Sequence, residues 1–180
     1  MNEPLNHDER PDIPAGISSA ELREAFKNHP AGVAIITADP GTGPVGMTVT
    51  SVSSVSAEPA NFVFSLSSDS SSTPAIRASK TVVVHLLGAD DIELARLFAT
   101  SGIDRFADTN MWSRLDTGEP YIVGARLWIR AQIIDCMEAG ASTMILARAL
   151  ETHFGDDAHA APLVYHSRTW HRLDENSRIG

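Results

Sequence analysis

Cysteine is almost missing from this sequence. Cys136 stands alone among 180 residues, which excludes an internal disulfide and any zinc centre built on several thiolates. It lies in an apolar, strand-like run, where a buried, inert thiol is expected rather than a nucleophile. Positive charge is scarce too: 14 Lys and Arg face 23 Asp and Glu, a net charge of −9. Such a balance leaves no basic face for sequence-independent nucleic-acid binding, so no nucleic-acid partner is expected. No apolar run approaches the roughly 20 residues that cross a bilayer, and the polar, acidic start has no apolar signal core. The reducing cytoplasm is the expected location, without a membrane partner.

Several chemistries are missing as well. No glycine-rich phosphate loop of a standard type follows a strand. There is no His-Glu-x-x-His helix, and the seven histidines are scattered, which argues against a zinc hydrolase. No Gly-x-Ser-x-Gly elbow is present. His153 and His159 flank Asp156 and Asp157 in what reads as a solvated loop, and no metal site is expected there. With no nucleophile beside a base, the difficult step of any reaction would fall to a cofactor.

What is present centres on residues 43–56, which read as one strand. Val45, Met47, Val49, Val52 and Val55 are apolar, and between them stand Thr48, Thr50, Ser51, Ser53, Ser54 and Ser56. An ordinary half-buried strand puts long charged side chains on its wet face, whereas this one carries no charge. Neutral hydroxyls beside exposed backbone N–H groups can receive a polar ligand closely. The plainer reading is a Thr/Ser-rich edge strand. A second hydroxyl run, from Ser65 to Ser72, feeds Thr73 and Pro74, a helix-opening pair. It reads either as a phosphate seat or as a flexible linker.

The rest of the chain supplies short elements. Residues 1–17 read as an N-terminal arm, 18–175 as one domain and 176–180 as a tail. Ser18 and Glu21 have capping-box spacing ahead of Leu22, Ala25 and Phe26 on one helical face. Val33 to Ala38 is a strand, paired as a hairpin with the run that starts at Gly43 across a proline- and glycine-rich turn. Further strands are expected over Phe62–Leu66, Thr81–Leu87, Ala125–Cys136, Thr143–Glu151, Leu163–His166 and Trp170–Leu173. A helix after Asp90 carries Ile92, Leu94, Ala95, Leu97 and Phe98. In the longest strand Leu127, Ile129, Ala131 and Ile133 alternate with Trp128, Arg130 and Gln132, which places the second set on the wet face. Hairpin-like strands with inserted helices, and no βαβ series, point to a closed or nearly closed antiparallel barrel.

The order of motifs resembles the flavin reductase-like family, the FMN-binding split barrels that serve as reductase components of two-component monooxygenases. The matching pieces are His29 to Thr37, Gly43 to Ser51, Ser54 to Ser56 with Glu58 and Pro59, the hydroxyls Ser70 to Thr73, Leu94 to Ala99, Asp104 to Phe106, and Pro162 to His166. The resemblance implies a mainly β fold with short helices, a six-stranded antiparallel Greek-key split barrel, and a homodimer. It implies FMN or FAD as the flavin, NADH or NADPH as co-substrate, and a flavin-dependent oxygenase as partner. By the resemblance, Pro44, Val45, Gly46, Met47, Thr48, Thr50 and Ser51 would line the flavin ring. Ser65, Leu66 and Ser67 would continue that wall, Ser71 and Ser72 would hold the phosphate, and Phe98 would help close the pocket.

Three departures from the family pattern are visible. Gly140 to Thr143 replaces the family's Gly-Asp-His, putting Ser142 near the position of a histidine that approaches flavin and nicotinamide. Leu97 stands where an arginine often precedes phenylalanine, and His85 stands for a strand asparagine, where it either contacts the ligand or packs in the barrel. His166 falls on its motif and is the candidate to stand in for the missing imidazole; its other reading is a barrel-rim histidine bonded to backbone. Arg105 is read as a partner for pyrophosphate or for Asp104 or Asp108. A split barrel that binds flavin or haem without nicotinamide turnover, or a dimeric interaction module, is the alternative function. Replacing Thr50 and Ser51 by valine is expected to impair flavin binding with little loss of fold.

Overall fold

Short β-branched runs, cut by proline and glycine turns, become strands that outnumber the helices. The computed structural model describes residues 14–179. The arm expected over residues 1–17 therefore lies, through residue 13, outside the described residues, as does residue 180 of the expected tail. Helix α1 (Ser19–Lys27) opens with the expected capping box: Ser18 N donates to Glu21 Oε2 at 2.9 Å, and Glu21 N donates to the Ser18 hydroxyl at 3.2 Å. Strands β1 (Ala31–Gly32), β2 (Ala34–Ala38), β3 (Val45–Val49), β4 (Ser53–Ser56) and β5 (Asn61–Ser67) follow, then helix α2 (Thr73–Ala78). Strand β6 (Thr81–Leu86) precedes helix α3 (Ile92–Ala99). The remainder is β7 (Trp112–Arg114), β8 (Pro120–Ile122), β9 (Leu127–Ala139), β10 (Ser142–Phe154), β11 (Leu163–His166) and β12 (Thr169–Arg172).

The main sheet is antiparallel throughout, with strand order β3-β2-β6-β9-β10-β5-β4. Strands β1, β11 and β12 form a second sheet, and β7 with β8 a small hairpin. The mainly β architecture with short helices is as expected. The main sheet has seven strands rather than six, because residues 43–56 do not form one strand. The chain bends between Val49 and Ser53, so that β3 pairs with β2 while β4 pairs with β5. One expected strand thus becomes both edges of the sheet, and no ladder joins those edges among the described residues.

Strand β2 is buried along its whole length and feeds two cores by simple alternation. Ala34, Ile36 and Ala38 enter a cluster with Phe64, Leu66, Ile76, Val82, Val84 and Ile145. Ile35 enters the other, with Leu87, Ala95, Phe98, Phe106, Ile122 and Leu163. A strand covered on both faces explains why its sequence is apolar apart from Thr37, whose buried hydroxyl donates to Pro120 O.

Three side chains sit where the sequence did not put them. Trp128 is buried, although alternation assigned it to water, and its ring stacks on His153 at 5.3 Å. Its neighbour on that face, Arg130, donates to Glu119 Oε1 at 2.8 Å within a largely buried pair. The cause is the chain around β7 and β8, expected to be irregular, which covers that face and brings Tyr121 to 6.1 Å from Trp128. Cys136 is exposed rather than buried. Strand β6 pairs with β9 only as far as Gln132, so β9 beyond that residue has β10 as its only neighbour in the sheet. His85, read either as a ligand contact or as packed in the barrel, is fully buried in β6. Its Nδ1 donates to Ile35 O at 3.2 Å, and its Nε2 accepts from Ile122 N at 3.1 Å, so the ring is neutral and fully matched. Burial pulls its pKa down to about 4.

Candidate functional site

The two ends of the main sheet approach each other where β3 faces β5, and side chains bridge the seam. The Ser51 hydroxyl accepts from Ser65 N at 2.9 Å and donates to Ser65 O at 3.2 Å. One hydroxyl thereby does for Ser65 what a neighbouring strand would do. On the other side of the seam, Ser72 Oγ donates to Gly46 O at 3.0 Å. Arg105 Nη1 donates to the same carbonyl at 3.1 Å and to Ser72 Oγ at 2.9 Å, while Nε and Nη2 donate to Thr100 O at 3.1 and 2.7 Å. Asp104 and Asp108, its expected acidic partners, are not used. Partial burial lowers the Arg105 pKa from its ordinary value.

Strand β3 therefore serves the site differently from the expected wall. Thr48 Oγ1 donates to Ala95 O at 2.7 Å and so ties α3 to the sheet. Phe98 lies fully buried against Gly46; a Cβ there would stand 2.7 Å from Phe98 Cε1. Phe98 also meets Phe106 edge to face at 5.3 Å, so it builds the wall's foundation rather than closing a pocket. Val45 and Met47 pack on the first core cluster, and Leu66 is fully buried in it, facing away from Ser65 and Ser67. What β3 leaves open is backbone. The Gly46 carbonyl points across the seam, and in an antiparallel strand a residue's N–H and C=O share one edge. The N–H groups of Gly46 and Thr48 therefore lie along the seam edge.

The second hydroxyl run bonds mostly to its own backbone, although Ser67, Ser68 and Ser71 are exposed. Thr73 Oγ1 donates to Ser67 O at 2.6 Å, Ser67 Oγ accepts from Asp69 N, and Ser70 Oγ accepts from Ser72 N. Ser72 is buried with its hydroxyl committed to the seam, so it does not present that group to a phosphate. Ser71 remains outward and exposed. Ser142 is paired in register with Ser67, which sets the tip of the β9–β10 hairpin beside this loop.

Next to the seam opens a cleft of about 750 Å³. Thr50, Ser51, Ser53 and Ser65 line it from one side, and His29, Tyr165 and His166 from another. Four predicted site residues, Thr50, Ser51, Ser65 and His166, are thus brought together. Phe98, His85, Ser71 and Ser72 are not among its lining. Arg23, Lys27, His29 and Arg168 also border the cleft and escaped the sequence reading. The available signal was weak: Arg23 and Lys27 are four residues apart on a helix. A second cleft, of about 550 Å³, shares Gly32 and Val52 with the first but is walled by Val33, Ala34, Phe62, Leu86, Ile129 and Leu163. No group of three metal-ligating side chains occurs among the described residues, and no helix there is long and apolar enough to cross a membrane. The polar cleft has hydroxyls, imidazoles and cations but no nucleophile paired with a base. It is suited to binding and orienting.

Comparison with known proteins places these features in context. Residues 26–174 match a family model described as a flavin reductase like domain. An NADH:FMN oxidoreductase of Rhodococcus qingshengii is 42% identical over 164 residues, covering 90% of this chain and 85% of that protein. The reductase component of a 4-nitrophenol 4-monooxygenase/4-nitrocatechol 2-monooxygenase of Rhodococcus opacus is 29% identical, covering 83% of this chain and 78% of its own. Among solved structures, a flavin reductase domain protein of Arthrobacter sp. FB24 superposes with a TM-score of 0.81 at 33% identity, covering 87% of this chain and 96% of that one.

Proposed function

The chain belongs to the flavin reductase-like family, and from that premise we infer that it is an NADH-dependent flavin reductase supplying reduced FMN or FAD to a partner monooxygenase. The observation that carries this reading is the polar cleft, where Thr50, Ser51, Ser65 and His166 converge beside a free strand edge. These residues fit a flavin: they are hydrogen-bonding, and the hydroxyls among them are neutral. A flavin held there would supply hydride chemistry with the nicotinamide, for which these residues need to align two rings rather than provide an acid or base. Thr50 and Ser65 would meet the polar edge of the ring. The seam-edge N–H groups of Gly46 and Thr48 would offset negative charge developing there. Ser71, with Ser67 and Ser142 nearby, would receive the flavin phosphate, while Ser72 and Arg105 hold the loop in place. His166 and His29 would border the nicotinamide and take the place of the family histidine.

The same reading includes a homodimer and a completed split barrel. The apolar cleft of about 550 Å³ and the exposed Ile134, Met137, Leu150 and Phe154 of the long hairpin support a second copy as their cover. Residues 18–175 are taken as one catalytic domain, followed by a short tail. An exposed thiol at Cys136 suits the reducing cytoplasm. Purified protein given NADH should oxidise it only when FMN or FAD is added. Absence of flavin-dependent NADH oxidation with both flavins would remove the reading.

A further inference from the structure

The polar cleft carries cations that a neutral flavin ring does not require. The chain has a net charge of −9, yet Arg23, Lys27 and Arg168 line this cleft with His29 and His166, and no Asp or Glu lines it among the described residues. Arg23 and Lys27 share one face of α1. Arg168 comes from the two-residue turn between β11 and β12, where Ser167 has φ 49° and Arg168 has φ 62°. Such a turn favours Asn-Gly, and a long side chain there is held in an unfavourable left-handed backbone. Ser167 N donates to Lys27 O at 3.0 Å, which fastens the turn to the end of α1 and sets the three cations around one opening. Arg105, Arg126 and Arg130 are each committed to protein oxygens. Lys27 Nζ pairs with Glu24 Oε1 at 3.2 Å and Arg23 Nη2 donates to Ser19 Oγ at 3.2 Å, both at exposed positions of α1, whereas Arg168 forms no side-chain hydrogen bond or ion pair among the described residues.

We propose that Arg168, with Lys27 and Arg23, grips the diphosphate of a dinucleotide, the planar guanidinium taking two phosphate oxygens at once. The proposal rests on the reductase reading, with this rim serving a different phosphate from the one at the Ser71 loop. NADH and FAD both carry a diphosphate, and FMN does not.

Arg168→Gly tests it cleanly, because glycine is the residue the turn prefers and the variant should fold with an equal or higher melting temperature. With FMN saturating, the KM for NADH should rise roughly tenfold at little-changed kcat. A rise in KM for FAD, but not for NADH or FMN, would assign the same grip to the flavin's diphosphate. Unchanged KM for both dinucleotides overturns the proposal. So does a fall in melting temperature with KM intact, since a guanidinium that only offset the negative end of α1 would behave that way. Adenosine diphosphate binding, measured by calorimetry on wild type and variant, reads the grip without turnover. It should weaken roughly tenfold in the variant. Should the wild type show no NADH oxidation at all, the reductase reading fails while this binding difference still decides the diphosphate site.

Discussion

The seam and the polar cleft are built from the same residue types, yet they treat a hydroxyl in opposite ways. At the seam, Ser51, Ser72 and Thr48 each hand their proton to a backbone carbonyl, so their energy goes into holding β3, β5 and α3 together. At the cleft, Thr50 and Ser53 are exposed and make no side-chain hydrogen bond among the described residues. Composition does not distinguish the two. What distinguishes them is whether a backbone group within reach lacks a strand partner. Where the sheet ends without a ladder, a short side chain completes it; one turn of chain further, the same side chain is free for a ligand.

The largest way to break the comparison is to remove the support under the seam, and acid should do so. His85 bonds to β2 through Ile35, and β2 carries β3. Its pKa is about 4 when folded, against an ordinary value of 6.5. The unfolded chain therefore takes up a proton first as pH falls. The resulting stability is intact above pH 6.5 and is lost progressively as pH drops toward 4, by roughly 3 kcal/mol in all. Urea unfolding from neutral pH to pH 4 should show that loss, and His85→Asn should flatten it. An identical pH slope in the variant would show that His85 is not the group responsible. Next in size is Gly46→Ala. The added methyl would meet Phe98 Cε1 at 2.7 Å and Ile36 O at 2.9 Å, and a backbone carbonyl cannot swing aside. A loss of about 1–3 kcal/mol in urea unfolding is expected. A variant as stable as wild type would mean that α3 does not press on β3.

How far the sequence revealed this division depends on the length scale of the cause. Periodicity sufficed for β2, β5 and β6, each of which buries one or both faces along its own length, and it located the long hairpin, whose strands β9 and β10 bury side chains only over their first halves. The capping box at Ser18 was equally legible, being contained within four residues. The break at Thr50 to Val52 was not, because it depends on β2 and β5 competing for the two halves of one run. Nor was the burial of Trp128, which depends on chain that lacks a strong pattern of its own. In the site, Thr50, Ser51, Ser65 and His166, all singled out in the sequence, line one cleft. The sequence put Leu66 and Phe98 on the pocket wall, whereas Leu66 alternates away from Ser65 and Ser67 and Phe98 packs from α3 against Gly46. Arg168 was invisible because only the turn's positive φ marks it as unusual.

The finest test separates two adjacent hydroxyls. Ser51→Val removes the partner of both backbone groups of Ser65 and leaves an N–H with no replacement, so about 1–3 kcal/mol of stability should go. The expectation that this side chain could be lost with little effect on the fold is thereby revised. Thr50→Val changes an exposed side chain with no bond to lose, and stability should stay within about 0.5 kcal/mol. Flavin affinity should respond in the opposite order. Thr50→Val should weaken it roughly three- to tenfold, the worth of one hydrogen bond to a bound polar group. Paired urea titrations and flavin fluorescence titrations would read both quantities on the same samples. If both variants lost stability alike and bound flavin alike, Thr50 would belong to the seam, and the cleft would have no hydroxyl of its own on that wall.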